Sequence, residues 1–116
     1  MKVKRIVANL ETATPEKAQD FYQTIFGLTL AMDQGWIKTL VGDDEMPVQL
    51  SIASEGGSGT QVPTLSIEVD DLNSCIERIK KSGIEIEYGP VDEPWGLRRL
   101  YIRDPLGNLL NVLAHH

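Results

Sequence analysis

Thr14-Pro15-Glu16-Lys17-Ala18-Gln19-Asp20-Phe21-Tyr22-Gln23-Thr24-Ile25-Phe26-Gly27-Leu28 decides the fold, because Asp71-Leu72-Asn73-Ser74-Cys75-Ile76-Glu77-Arg78-Ile79-Lys80-Lys81-Ser82-Gly83-Ile84 repeats its design. In the first stretch Ala18, Phe21, Tyr22 and Ile25 share one helical face; in the second, Leu72, Cys75, Ile76 and Ile79 do so at the same spacing. Thr14 is placed to cap the first helix ahead of Pro15 at its first position, and Asp70 or Asp71 to cap the second. Gly27 and Gly83 then stop each helix and lead into a strand.

Working outward, the same elements surround both helices. Residues 3–10 and 64–70 alternate in polarity ahead of each helix and read as strands. After the first helix, strands are expected over 28–32, 36–41 and 48–53, separated by Asp33-Gln34-Gly35 and the acidic turn Gly42-Asp43-Asp44-Glu45. After the second, a short strand is expected over 84–87, a loop over 88–97, and two strands, 98–103 and 109–113. That last pair is joined by Asp104-Pro105-Leu106-Gly107-Asn108, in which Pro presets φ and Gly or Asn accepts a positive φ. The chain is therefore one α+β domain over 1–116, with a βαβββ module over about 1–54, a Gly/Ser linker over 55–61 expected to be mobile, and a second module over about 62–114. A module of about 50 residues buries too little alone, so the two copies are expected to join, with their apolar strand faces under the helices and their semi-polar faces lining a concavity.

Composition narrows the function. With 116 residues and a net charge of -6, the chain has no basic stripe of the kind that neutralises phosphates, so no nucleic acid partner is expected. No segment approaches the roughly 20 apolar residues that span a bilayer, and the first residues hold no signal-peptide run, so no membrane partner is expected. Cys75 is the one cysteine; it lies on the apolar helix face as a core residue, and its solitude fits a reducing cytoplasm.

Phe21-Tyr22 with Phe26-Gly27-Leu28, Val69-Asp70-Asp71-Leu72, Pro94-Trp95-Gly96-Leu97-Arg98 and Asp104-Pro105-Leu106-Gly107-Asn108 together resemble the vicinal oxygen chelate superfamily, along the whole chain and in order. That superfamily includes glyoxalase I, extradiol dioxygenases, methylmalonyl-CoA epimerase, fosfomycin-resistance enzymes and bleomycin-resistance proteins. The resemblance implies paired βαβββ modules curled into a half-barrel, a homodimer, and a concave ligand site. It also implies one divalent metal held by His and Glu from the first and fourth strands of each module. Those positions fall near Val7, Gln49, Thr64 and Asn111 in this chain. Val7 offers no donor atom and the others offer neutral amides or a weakly acidic hydroxyl, where a divalent ion takes imidazoles and carboxylates. No metal and no cofactor are expected.

The remaining candidates are lining groups. Asn9, Gln49, Ser51, Ser66 and Asn111 are uncharged polar side chains suited to orienting a ligand by hydrogen bonds, and Thr64 joins them. Glu68 shares the inner face with Thr64 and Ser66 and is the candidate catalytic residue, as general base, counter-ion or partner of an arginine. Trp95 caps a ligand or plugs the half-barrel. Arg98 matches the family's Trp-Gly-x-Arg pattern, whereas Arg99 points to the opposite face with Tyr101, and strand geometry alone does not choose which arginine meets the ligand. His115 and His116, the two histidines, are read as a frayed tail without catalytic part.

The expected function is that of a glyoxalase/bleomycin-resistance-like protein, dioxygenase-like in fold, that holds a small organic molecule without a catalytic metal. One alternative is a lyase, isomerase or dioxygenase with an atypical metal or a Glu68-based site. Another is a non-catalytic dimerising module, structural or regulatory, which predicts a concavity filled by side chains such as Trp95.

Overall fold

The computed structural model describes residues 1–42 and 49–116; Asp43, Asp44 and Glu45 of the expected acidic turn, and Val48 of the expected strand, lie outside the described residues. The elements are β1 (Val3–Glu11), α1 (Pro15–Phe26), β2 (Thr29–Asp33), β3 (Ile37–Val41), β4 (Gln49–Ala53), β5 (Leu65–Val69), α2 (Leu72–Lys81), β6 (Tyr88–Glu93), β7 (Leu97–Arg103) and β8 (Leu109–His115). Strand, helix and three strands thus occur twice, in an α+β fold.

The helix ends follow from local chemistry. Asp71, not Asp70, caps α2: its carboxylate accepts from the Ser74 backbone N–H at 3.1 Å. Thr14 stands at the start of α1 without a side-chain cap bond, and Pro15 supplies the preset φ instead. Gly27 ends α1 at φ +67°, a left-handed conformation glycine adopts without a Cβ clash, and its N–H reaches Gln23 O at 3.0 Å.

The chain folds as two compact units, Val7–Val62 and Met1–Ile6 with Pro63–His116, so β1 serves one with its first residues and the other with its last. In the Pro63–His116 unit β5 pairs parallel with β8, and β7 joins β8 to β6 through antiparallel ladders. The chain start is tied in by Asp70 N–H to Lys2 O at 3.0 Å and Lys2 N–H to the Asp70 carboxylate at 2.7 Å. The α2 helix lays Leu72 and Ile79 on Val69, Leu100 and Val112, with Ile67, Cys75, Ile76, Ile86, Ile102 and Ala114 around them. Cys75 is a core thiol there, and burial pushes its pKa up.

In the Val7–Val62 unit β1 pairs parallel with β4, β4 antiparallel with β3, and β3 antiparallel with β2. Leu40 and Ile52 are fully buried, and α1 lies on β3 and β4. Its apolar face is only partly used: Phe21, Ile25 and Phe26 are 53, 60 and 62% exposed. The alternating face of β1 that holds Ile6 and Leu10 is exposed and Val7 on the other face is buried, which reverses the expectation that the apolar strand face lies under a helix. The Gly-rich stretch is a knit turn, with Gly56 N–H on Thr60 O at 2.8 Å and Thr60 N–H on Gly57 O at 3.0 Å.

A further departure is β6. The expected strand over 84–87 does not form and the expected loop contains β6 instead. Gly89 and Pro90 sit where the β6–β7 register shifts, and β6 has β7 as its only ladder partner in the strand order of this unit. An edge strand with a bulge accepts the proline that a central strand would exclude. No helix of the described residues is long and apolar enough to cross a membrane.

Leu100, fully buried at the centre of the α2 core, sets a test of this packing. Leu100→Ala is expected to lower unfolding free energy by about 2–5 kcal/mol, read by urea denaturation.

Candidate ligand site on the sheet face away from the second helix

Side chains alternate across a strand, so residues whose neighbours pack on α2 turn their own side chains away from it. Leu100 and Val112 face α2; Tyr101 and Asn111, their neighbours and register partners, therefore face the other way. Ser66 pairs with Asn111, Tyr101 with Tyr88, and one row along Glu68 pairs with Leu113 and Arg99 with Val91. One face of the Pro63–His116 unit thus collects Ser66, Glu68, Tyr101 and Asn111, four of the residues singled out in the sequence.

The most buried feature there is Arg99, 2% exposed. Its guanidinium donates to Glu93 Oε2 at 2.8 Å through Nε, and to the Tyr101 hydroxyl at 2.9 Å through Nη1. Three rings surround it, Tyr101, Trp95 and Tyr88, with centroids 5.0, 5.2 and 5.3 Å from Cζ. The planar, weakly hydrated guanidinium suits such an aromatic cage. Glu93 also accepts from the Tyr88 hydroxyl at 3.3 Å. Trp95 therefore packs on a buried cation of its own chain.

Arg98 takes the opposite side. It pairs in register with Ala114, which packs on the α2 core, and meets Asp92 in an exposed ion pair at 3.3 Å.

The second charged group is centred on Glu68, whose side chain is 10% exposed. Arg5 Nε donates to its Oε1, His115 Nδ1 lies 3.0 Å from its Oε2, and Lys4 Nζ lies 3.7 Å from the same oxygen. Burial raises the pKa of such a carboxyl, but hydrogen bonds from His115 and Arg5 outweigh it and hold Glu68 below the usual range.

Asn111 is buried and its Nδ2 donates to Ser66 Oγ at 3.1 Å. Its Oδ1 is buried with no hydrogen-bond partner among the described residues. Turning the amide over would leave an N–H in the same state, so one polar end is unmatched either way.

Other predicted residues lie elsewhere. Thr64 is exposed, one residue ahead of β5, with its backbone N–H on Leu109 O at 2.8 Å. Asn9, Gln49 and Ser51 belong to the Val7–Val62 unit, where Asn9 pairs with Ser51 in register. Ser51 is buried and shares a 2.8 Å hydrogen bond with the Thr39 hydroxyl, while Gln49 borders a groove with Tyr22, Phe26, Leu28 and Leu50.

Sequence reasoning missed Glu93, Tyr88, Lys4, Arg5 and His115. Glu93 and Tyr88 fell in a stretch whose prolines and glycines read as loop. His115, read as tail, closes β8 as one of its strand residues. The usable signal was alternation: Leu109, Asn111, Leu113 and His115 keep one period of two.

The sequence profile of the glyoxalase/bleomycin resistance protein/dioxygenase superfamily matches residues 5–112. The chain belongs to this superfamily. Among solved structures, a Vibrio splendidus 12B01 member of the superfamily is similar with a TM-score of 0.70 at 16% identity, covering 99% of this chain and 100% of that one. Methylmalonyl-CoA epimerase from Mycobacterium tuberculosis is similar with a TM-score of 0.62 at 16% identity, covering 98% and 87%. A Legionella pneumophila structure named as an NAD-dependent benzaldehyde dehydrogenase gives 0.75 at 14% identity, covering 97% and 100%. At these identities the likeness is one of fold. No functionally curated protein matches the sequence.

The superfamily resemblance implies a divalent metal, and the residues present do not fit one. Of the four positions, Val7 has no donor, Thr64 is an exposed hydroxyl, Gln49 is an amide, and the amide of Asn111 is committed to Ser66 through its nitrogen. Among the described residues no three His, Cys, Asp or Glu side chains gather as a metal would require.

Two stability tests follow from the charged groups. Glu93→Leu and Arg99→Leu each strand a buried charge and are expected to cost about 3–5 kcal/mol, whereas the double variant costs less than their sum in a denaturation cycle. For Glu68, the folded-state pKa lies below the unfolded one, so its contribution is present above the ordinary glutamate range and disappears as pH falls through the folded value. Thermal unfolding of Glu68→Gln followed against pH is expected to show a flatter acid limb than wild type.

Proposed function

We propose that this superfamily member binds a small organic molecule on the sheet face that carries Ser66, Glu68, Tyr101 and Asn111, without a catalytic metal. Asn111 is the observation that carries the reading. A buried carbonyl oxygen without a donor costs about 1–3 kcal/mol, and a ligand N–H or O–H would remove that cost on binding. Ser66 and the Tyr101 hydroxyl, on the same row, supply further polar orientation. The donor set at the superfamily's metal positions supports binding over metal-assisted turnover. A homodimer accompanies this reading, supported by the exposed Phe21, Ile25 and Phe26 of α1, more apolar surface than a lone soluble helix ordinarily shows. A cytoplasmic setting is supported by the lone thiol of Cys75.

The Arg99 cage favours a second reading. Trp95, Tyr88 and Tyr101 close over a cation that is already paired, so this part of the face is filled by the protein itself. That is the arrangement expected of a non-catalytic dimerising module.

One variant separates the two. Asn111→Leu removes the unmatched oxygen while keeping volume, so the unliganded protein is expected to be as stable as wild type or more so. In a thermal-shift screen of small hydrogen-bonding organic compounds, a hit at about 100 times its Kd should stabilise wild type by about 2.7 kcal/mol and lose most of that in Asn111→Leu. Hits that stabilise both proteins equally would remove Asn111 from the site. A screen with no saturable hit would leave the dimerising module.

A further inference from the structure

The Glu68 cluster contains a pair that binding alone does not require. Each Glu68 oxygen is engaged by a cationic or potentially cationic side chain: Oε1 by Arg5, and Oε2 by His115 Nδ1 at 3.0 Å, with Lys4 Nζ at 3.7 Å. A carboxylate so surrounded stays ionised and can only accept. In the neutral imidazole the proton must then sit on Nδ1, where it bonds Glu68, and the lone pair is left on Nε2. His115 is 46% exposed, and Nε2 has no hydrogen-bond partner among the described residues. A buried anion that sets the tautomer and an outward lone pair together make a base held in position.

Lys4 and Arg5 come from β1 and Glu68 from β5. Farther along the same face on β7, Arg99 is matched by Glu93 from β6. His116 turns to Asp92 at 3.4 Å. Lys4 and Arg5 place cationic groups beside Glu68 and the imidazole, although the chain as a whole is acidic.

We infer that Glu68 and His115 form a carboxylate–imidazole pair in which His115 Nε2 accepts a proton from an acidic ligand hydroxyl, while Lys4 and Arg5 favour the oxyanion left behind. The O–H bond breaks, an Nε2–H bond forms, and the electron pair remains on oxygen. The imidazolium is matched by Glu68, and reversal returns the proton, so no other reactant is needed. Glu68 is a positioning residue here: held ionised by its partners, it is the weaker base of the two. This step goes beyond binding and needs no metal.

The test uses the full chain carrying His116→Gln, so that His115 is the single histidine, and p-nitrophenol as the probe. Nitrogen-15 NMR of the ring is expected to show the Nδ1–H tautomer in the neutral form. Glu68→Gln should loosen the tautomer, with Nε2–H rising in the neutral ring, and Glu68→Asp should restore part of the Nδ1–H form. Absorbance should show p-nitrophenol bound as phenolate by the His116→Gln protein, with binding weakened at least tenfold when His115→Gln or Glu68→Gln is added, in samples whose circular dichroism matches the parent. An Nε2–H tautomer in the parent, an unchanged tautomer in Glu68→Gln, or equal phenolate binding with and without His115 would each overturn the proposal.

Discussion

A carboxylate taken out of water must be matched by donors, and Glu68 is matched by groups from the two extremes of the chain. Arg5 lies 63 residues before it and His115 47 residues after it. This one requirement draws the start of β1 onto β5 and holds the end of β8 beside both. The first residues thereby join the Pro63–His116 unit while the rest of β1 serves the other. Without cations on both sides, desolvation would push Glu68 toward the neutral acid; with them it stays charged and fixes its neighbours.

The same face holds two solutions to the problem of a buried charge. Arg99 meets the Glu93 carboxylate, the Tyr101 hydroxyl and the rings of Tyr88, Trp95 and Tyr101, and it is buried. Glu68 is matched by side chains that themselves remain partly in solvent. The first arrangement closes its part of the sheet and contributes rigidity. The second keeps a titratable ring at the surface. Asn111, with one amide end engaged and the other unmatched, lies on the row beside them.

Duplication of the module did not make the units equivalent. The α2 helix buries Leu72 and Ile79 in its own unit, whereas α1 leaves Phe21, Ile25 and Phe26 open. The two helices therefore differ in how much of their apolar face the chain itself covers.

What the sequence by itself determined was local. Helix periodicity, the Asp71 and Gly27 ends, the Asp104–Asn108 turn and the absence of metal-type side chains at Val7, Gln49, Thr64 and Asn111 all depend on neighbours within a few positions. The face shared by Ser66, Glu68, Tyr101 and Asn111 was also legible, because strand alternation has a period of two wherever a strand is recognised. The β6 strand was hidden, since Gly89 and Pro90 carry turn signals that an edge bulge tolerates. Only the tertiary structure decided that Arg99 rather than Arg98 lies on the face with Glu68 and Tyr101, that Glu93 meets it, and that His115 meets Glu68. Those choices rest on ladder register and on the pairing of charges far apart in the chain, which no local pattern encodes.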